Sequence, residues 1–332
     1  MIELNNNELI FSFPEVHPKA KCRINFQRTL RIPDDNREYP LPPGLGQFPV
    51  MHVDDYATKL PESWRLHGGV FLPMYQSEAL WINFGGYGSY PCAVKIAAGK
   101  INAVSGKEWN NRLCDDPQDY VVTPDQPWLD GFNVTEDHVR QFVAMPLGEG
   151  FTAEEQLTGH AKHGGLQIIA YPMKREVYAE RFEIQVDKDD DWENQVMFLR
   201  VCEENSHMGL APGGLMRQEV YKDEYGIGAW DQKSGSRCFV HLTNSEMYQA
   251  ISGHIPPHKP FTAKEYTKAG LPWFDYYSDN ITITGSSLLS KLSSVAVKVI
   301  QKGGSPLNNN DSLQPAIVKK IGNYRVIRDG DF

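Results

Sequence analysis

Apolar and polar residues alternate along residues 22–32 over nearly the whole segment. The apolar members of this set share one face of an extended chain: Cys22, Ile24, Phe26, Leu30 and Ile32. This two-residue period predicts a strand with one face in water, which is typical of an antiparallel sheet. More short apolar runs bounded by turns follow between residues 68 and 145, and they predict a meander or a barrel-like sheet.

Short helices are predicted between and behind these strands. A hydroxyl residue is followed three positions later by Glu at four places, which is the pattern of a capping box: Ser105–Glu108, Thr152–Glu155, Thr243–Glu246 and Thr262–Glu265. Glycines predict where three of these helices end: Gly164, Gly253 and Gly270. A fifth helix is predicted over residues 286–294 from the spacing of its leucines.

Apolar runs predict strands at three further places: 166–173, 238–242 and 295–300. Strands therefore dominate the front of the chain, and short helices are interspersed behind them. The predicted fold class is α+β, with a mainly antiparallel β-sheet (meander or barrel-like) and several short peripheral helices.

The chain divides by composition into a body and a tail. Residues 1–301 form the predicted globular body, with a possible subdivision near 146–150. Residues 302–315 are rich in Gly, Ser and Asn and predict a flexible linker. Residues 316–332 regain apolar content, so this tail segment either returns as a strand to its own body or docks on a partner.

Composition narrows the class of protein. Of the 332 residues, 41% are hydrophobic and 23% are charged, which is ordinary for a globular protein and excludes a disordered chain, a collagen-like fibre and a coiled-coil rod. The formal net charge is −9, and no basic stripe is present that would neutralise phosphates, so no nucleic-acid partner is expected.

The cysteines and the apolar runs bear on the compartment. Five cysteines, none paired at CxxC spacing, predict neither a disulfide framework nor a zinc knuckle. No signal peptide and no apolar run of membrane-spanning length is recognised, so a cytoplasmic protein with reduced thiols and no membrane contact is expected.

One glycine-rich segment predicts an anion-binding loop. In GLAPGG (209–214), the amides of Gly209, Gly213 and Gly214 would turn toward an anion. Arg217 would supply the counter-charge and His207 an acid or base. The alternative is a tight loop with a proline turn and no ligand.

Two histidines are weak candidates for metal ligands. His160 and His163 lie three residues apart near the predicted end of the helix that Thr152 begins, so they would share a face. The HExxH spacing is missing, and histidine is favoured at helix ends by the dipole alone. No metal and no cofactor is therefore expected.

An aromatic cluster predicts a contact surface for a partner. It consists of Trp273, Phe274, Tyr276 and Tyr277, with Tyr324 in the tail as a further candidate. Exposed aromatic residues of this kind contact proteins or sugars, whereas buried ones fill the space under a loop. The same two interpretations stay open for Asp125, Trp128 and Asp130.

Several runs together resemble a family of uncharacterised bacterial proteins. The resemblance covers most of residues 40–300 and lies in these segments: LPMYQSEALWI (72–82), QPWLDGF (126–132), RQFVAMPLGEGFTAEEQLTG (140–159), GLAPGG (209–214) and AGLPWFDYY (269–277). It implies a bacterial, intracellular origin, and it implies no activity and no catalytic residues.

The sequence favours a non-enzymatic binding or assembly protein of the bacterial cytosol, because no acid–base or nucleophile constellation stands out. A protein partner or self-association is expected, and a small-molecule ligand stays open. The first alternative is a hydrolase or transferase acting on an anionic or sugar-like molecule at GLAPGG. The second is a subunit of a multi-protein defence or secretion system that uses its C-terminal tail.

Overall fold

Most strands join one mainly antiparallel sheet in the computed structural model, which describes residues 1–85, 89–182, 207–257, 259–278, 280–305 and 310–322. The strands are β1 (Ile2–Asn5), β2 (Glu8–Ser12), β3 (Lys21–Thr29), β4 (Glu38–Tyr39), β5 (Gly44–Gln47), β6 (Met51–His52), β7 (Val70–Pro73), β8 (Ala79–Phe84), β9 (Cys92–Ala98), β10 (Ile101–Asn102), β11 (Val121–Thr123), β12 (Trp128–Leu129), β13 (Gly131–Asn133), β14 (His138–Pro146), β15 (Leu166–Pro172), β16 (His207–Arg217), β17 (Ser236–Thr243), β18 (Trp273–Tyr277) and β19 (Val318–Gly322).

The helices are short and lie between strands. They are α1 (Glu62–His67), α2 (Ala153–Thr158), α3 (Arg175–Phe182), α4 (Ser245–Ser252), α5 (Ala263–Lys268) and α6 (Val295–Gln301). Three single turns of 3₁₀ helix accompany them: Asp54–Tyr56, Ile227–Ala229 and Leu289–Lys291. The predicted α+β class with a mainly antiparallel sheet and short helices is confirmed.

The main sheet follows one continuous path of antiparallel pairs. It runs from β2 through β3, β8, β14, β16, β17 and β15 to β9. In the described part of the chain this path does not return to β2, so the sheet stays open, and the barrel-like alternative does not hold.

The largest cluster of buried hydrophobic residues in the described chain draws on several of these strands. It contains Phe26 from β3, Phe142 from β14 and Ile168 from β15, all with no exposed surface. The core therefore includes residues from both sides of the predicted subdivision near 146–150. Strand β15 is buried on both faces, as its nearly uninterrupted apolar run indicates.

Local signals predicted some helix ends correctly and others wrongly. The capping boxes at Thr152 and Thr262 are both formed, each with its Glu. Helix α4 begins one residue later than predicted, because Asn244 is the N-cap that accepts from the Met247 amide. Helix α2 ends at Thr158 with Gly159 in the left-handed conformation, before the predicted stop at Gly164.

The predictions at Ser105 and beyond residue 286 are wrong. Ser105 begins no helix, because its hydroxyl and amide both donate to Asn102 Oδ1 in a turn. The predicted helix over 286–294 is reduced to a 3₁₀ turn. The predicted strand over 295–300 is helix α6, since the Ser294 side chain accepts from the Val297 amide and caps it.

Residues of the predicted linker and of the tail contact the body. Asn310 accepts from the Asp34 amide and donates to the Asp34 carbonyl, at 2.8 and 2.9 Å. Strand β19 then pairs in parallel with β18. The described start of the tail thus lies on its own chain.

Candidate functional site

An aromatic groove lies where β8, β12 and β18 meet the chain before β5. It encloses a cavity of about 200 Å³. The lining residues are Leu41, Pro42, Pro43, Gly44, Trp81, Trp128, Asp130, Phe274 and Ile321. We call this cavity the aromatic groove. Its size suits one small group rather than a whole drug-sized ligand.

Backbone pairing positions the three aromatic walls. Trp128 opposes Asn83 in the β12–β8 pair, which brings its indole beside that of Trp81, with ring centroids 6.2 Å apart at 73°. Phe274 and Leu41 exchange two backbone hydrogen bonds, of 2.8 and 2.9 Å. The walls therefore belong to hydrogen-bonded elements, so little conformational entropy is lost when a ligand binds.

The segment before β5 forms the remaining wall. Pro42 and Pro43 have no amide hydrogens, so this stretch cannot continue as a paired central strand. Gly44 then allows close packing, because a Cβ there would lie 3.3 Å from Cζ2 of Trp81. The result is a smooth apolar surface facing Phe274.

A single acid, Asp130, lines the groove. Only 3% of its surface is exposed. Its carboxyl accepts from Nε1 of Trp128 at 2.6 Å, and its amide donates to Oε1 of Gln218 at 2.8 Å. Burial raises the pKa of Asp130 to about 7, although the Trp128 hydrogen bond lowers it. Among the described lining residues there is no Lys, Arg or His to compensate a carboxylate.

A smaller recess shares Trp128 with the aromatic groove. Its volume is about 30 Å³, and Arg217, Glu219 and Tyr276 are among its lining residues. Burial raises the pKa of Glu219, and the nearby charges of Asp137 and Glu136 add to this effect. Arg217 is 3.4 Å from Asp275 and 3.9 Å from Glu38, so surface acids already surround its charge.

The predicted aromatic cluster is divided between packing and surface. Trp273 is fully buried, and its indole donates to Thr267 Oγ1 at 3.1 Å, so it fills the space beneath β18. Phe274 lines the groove, while Tyr276 lines the recess with its ring 4.7 Å from that of Trp128. Tyr277 pairs through its backbone with Gly322, and Tyr324 lies outside the described residues.

The predicted anion-binding loop is a buried strand. GLAPGG lies inside β16, which pairs with β14, and the backbone of Gly209, Gly213 and Gly214 is extended rather than left-handed. The glycines permit close approach: a Cβ on Gly213 would meet the Val143 side chain. The prediction of a loop is therefore wrong, and no backbone nest faces an anion there.

The two side chains assigned to that loop are far apart. His207 is the first residue of β16 and Arg217 is the last. At roughly 3.3 Å per residue, the strand separates them by about 30 Å. The His207 ring instead lies edge-on to Trp64, at 5.7 Å, and burial lowers the pKa of His207.

The histidine pair is not on a helix. Because α2 ends at Thr158, both His160 and His163 follow its C-cap, and they share no helical face. The ring of His163 lies 6.4 Å from that of His67. The described residues contain no group of three or more side chains arranged to hold a metal ion.

Sequence reasoning identified part of the groove. It singled out Trp128, Asp130 and Phe274 but did not connect them. It assigned no role to Trp81, Pro42 or Pro43. The Trp-x-Asp spacing of Trp128 and Asp130 was the available signal, because an acid two residues from an indole on an extended chain lies on the same face.

The comparisons with known proteins identify no relative. No protein-family model, no curated protein and no solved structure gives a significant match to this chain. A search of the described residues for a helix with the length and apolarity needed to cross a membrane finds none.

Proposed function

We propose that the chain is a non-enzymatic binding protein whose ligand inserts an apolar group into the aromatic groove. The observation that carries this proposal is the cavity of about 200 Å³ between Trp81, Trp128 and Phe274. Aromatic faces in a concave site bury much apolar surface at little cost in side-chain entropy. The proposal does not depend on a catalytic group.

A neutral probe tests this function directly. Neohexanol, a short alcohol with a tert-butyl group, is added to the full-length protein, and saturation transfer to its methyl protons is followed by NMR. We expect transfer with the native protein and its loss in Trp81→Ala. Trp109→Ala is the matched control, because Trp109 is another half-buried tryptophan but lies outside the groove.

Two results would contradict the proposal. The first is the absence of transfer to neohexanol with the native protein. The second is equal transfer with the native protein and Trp81→Ala, since the probe would then bind elsewhere. Melting curves of both variants show whether the fold is retained.

We further propose a cytoplasmic location in a bacterium, with either a small molecule or another protein as the source of the inserted group. The described cysteines are free thiols, as a reducing compartment would keep them: Cys22, Cys92, Cys114 and Cys238. The measurement that checks this location is the redox state of the thiols in protein isolated from its own cells.

The two alternative functions remain proposals, and the structure changes which residues each of them would use. A hydrolase or transferase for an anionic or sugar-like molecule would need a site other than GLAPGG, because that segment is a strand. A subunit of a defence or secretion system would use tail residues beyond β19, since β19 itself pairs with β18. Deletion of residues 323–332, which keeps β19, tests the second alternative by loss of a complex.

A further inference from the structure

The buried Asp130 carboxyl has no positively charged partner among the described residues that line the groove. A buried carboxylate is costly unless a counter-charge or several donors compensate it. The Trp128 indole is the only donor to this carboxyl among the described residues. A positive charge that arrives with the ligand would supply the missing partner.

The walls of the groove favour a cation as well. The face of an aromatic ring is negative, and a cation within about 6 Å of its centre is attracted, most strongly by tryptophan. Trp81, Trp128 and Phe274 surround the cavity that Asp130 lines. An organic cation would thus meet three aromatic walls and one carboxylate in a single small space.

The hydrogen-bonding groups of the lining discriminate among cations. A guanidinium carries five N–H donors and a primary ammonium carries three, and each needs acceptors when buried. Five of the nine lining residues have a carbonyl that already accepts a bond within the protein: Leu41 from Phe274, Pro43 from Thr29, Phe274 from Leu41, Trp128 from Gln126, and Asp130 from Phe142. A cation without N–H groups matches these conditions best.

We propose that the aromatic groove binds the quaternary ammonium head group of a small molecule, with the Asp130 carboxylate as its counter-charge. This inference rests on the proposed function, because it names the charge and class of the ligand of the same site. A quaternary ammonium group has no N–H donors to satisfy, and its methyl groups fill an apolar cavity.

Choline and neohexanol form a matched pair of probes. They share the same shape, but choline has a positive nitrogen where neohexanol has a neutral carbon. We expect choline to bind the full-length protein about tenfold more tightly than neohexanol at pH 8, where Asp130 is mostly ionised. In Asp130→Asn the preference for choline should decrease severalfold, because the amide keeps the Trp128 hydrogen bond without the charge and only the aromatic walls still favour the cation.

Asp275→Asn is the matched control. It removes one negative charge from β18 next to Phe274, but Asp275 does not line the groove. The preference for choline should persist in this variant. Equal loss of the preference in both variants would overturn the inference, since any nearby acid would then suffice.

The remaining outcomes separate the inference from the proposed function. If neohexanol and choline bind the native protein equally, the groove binds apolar groups and the inference is wrong. If neither probe binds, the proposed function fails as well. If Asp130→Asn does not fold, the pH dependence of the native protein tests the inference instead. The preference for choline over neohexanol should decline as the pH falls from 8 to 5. A constant preference overturns the inference.

Discussion

Asp119 and Asp130 are both buried, with 2% and 3% of their surfaces exposed, but their partners differ. Asp119 Oδ2 lies 2.6 Å from Nζ of Lys95, and its Oδ1 accepts from the Cys114 amide at 3.0 Å. Lys95 also donates to Asn110 and to the Arg112 carbonyl. Asp130 has only the indole of Trp128 as donor to its carboxyl in the described chain.

The difference between these regions separates a structural acid from a candidate binding acid. Burial raises the pKa of Asp119, whereas the charge of Lys95 lowers it. The Lys95–Asp119 ion pair connects the segment between β10 and β11 to the centre of β9. Asp130 forms no ion pair with a described residue, and it lines a cavity instead. An acid with an internal counter-charge holds the fold, whereas an acid without one is available to a cation.

The largest expected effect follows from removing the counter-charge of Asp119. Lys95→Met keeps the side-chain volume but leaves a buried acid unpaired, and we expect the free energy of unfolding to decrease by up to about 5 kcal/mol. Urea unfolding at pH 7 measures this. Lys264→Met, at an exposed ion pair, is the control and should change stability by less than about 1 kcal/mol. Similar values for the two variants would contradict the structural role of Lys95.

Replacing the acid in Asp130→Asn should increase the free energy of unfolding, in contrast to Lys95→Met. Its folded pKa of about 7 exceeds the ordinary value of 3.8, so the unfolded state binds fewer protons between these values and stability falls as the pH rises from 4 to 7. At roughly 1.36 kcal/mol per pKa unit, Asp130→Asn should be more stable than the native protein by up to about 4 kcal/mol at pH 8, and equal to it at pH 3.

Thermal and urea unfolding of the two proteins across this pH range provide the test. The comparison isolates Asp130, because other titrating groups are common to both proteins. An example is His241, whose pKa burial lowers to about 4. A stability difference that does not change with pH would contradict the account of Asp130.

Loss of one aromatic wall should weaken binding moderately. Phe274→Ala removes one ring face from the groove, and we expect choline affinity to decrease about threefold to tenfold. Calorimetric titration measures the change. Phe261→Ala is the control, since Phe261 is 53% exposed and lies outside the groove. An unchanged affinity for choline in Phe274→Ala would show that the Phe274 ring does not contact the ligand.

The smallest effect is expected at Arg217. Its charge is exposed and shared between Glu38 and Asp275, so Arg217→Ala should change the free energy of unfolding by less than about 1 kcal/mol. Choline affinity should stay within about twofold, because Arg217 lines the recess and not the groove. A large loss of choline binding would show that the two cavities act together.

Short sequence motifs predicted the parts of the fold that depend on contacts between residues close in sequence. The period of residues 22–32 predicted β3, although the strand ends at Thr29, and Asn25 and Thr29 of its polar face are buried rather than in water. The capping boxes at Thr152 and Thr262 predicted α2 and α5. Each signal is complete within a few positions. Ser105 has the same local pattern but is engaged by Asn102, a competing local acceptor.

The glycine-rich segment and the groove depend on distant contacts. Gly213 and Gly214 resemble loop glycines, but they allow strand β16 to pass close to Val143 and to the Pro33 carbonyl. Likewise, Trp81 and Trp128 become neighbours only through the pairing of β8 with β12. No pattern within either segment contains that information, so only part of the site was predictable.

Proton release on choline binding tests the central claim most directly. Titration calorimetry in two buffers of different ionisation enthalpy counts the protons that leave the protein. If the cation pairs with the Asp130 carboxylate, the tenfold preference for choline corresponds to a decrease of about one unit in the pKa of Asp130 from its value of about 7. Roughly 0.4 proton should then be released at pH 6, close to none at pH 8, and none in Asp130→Asn. Choline binding at pH 6 without proton release would contradict the account.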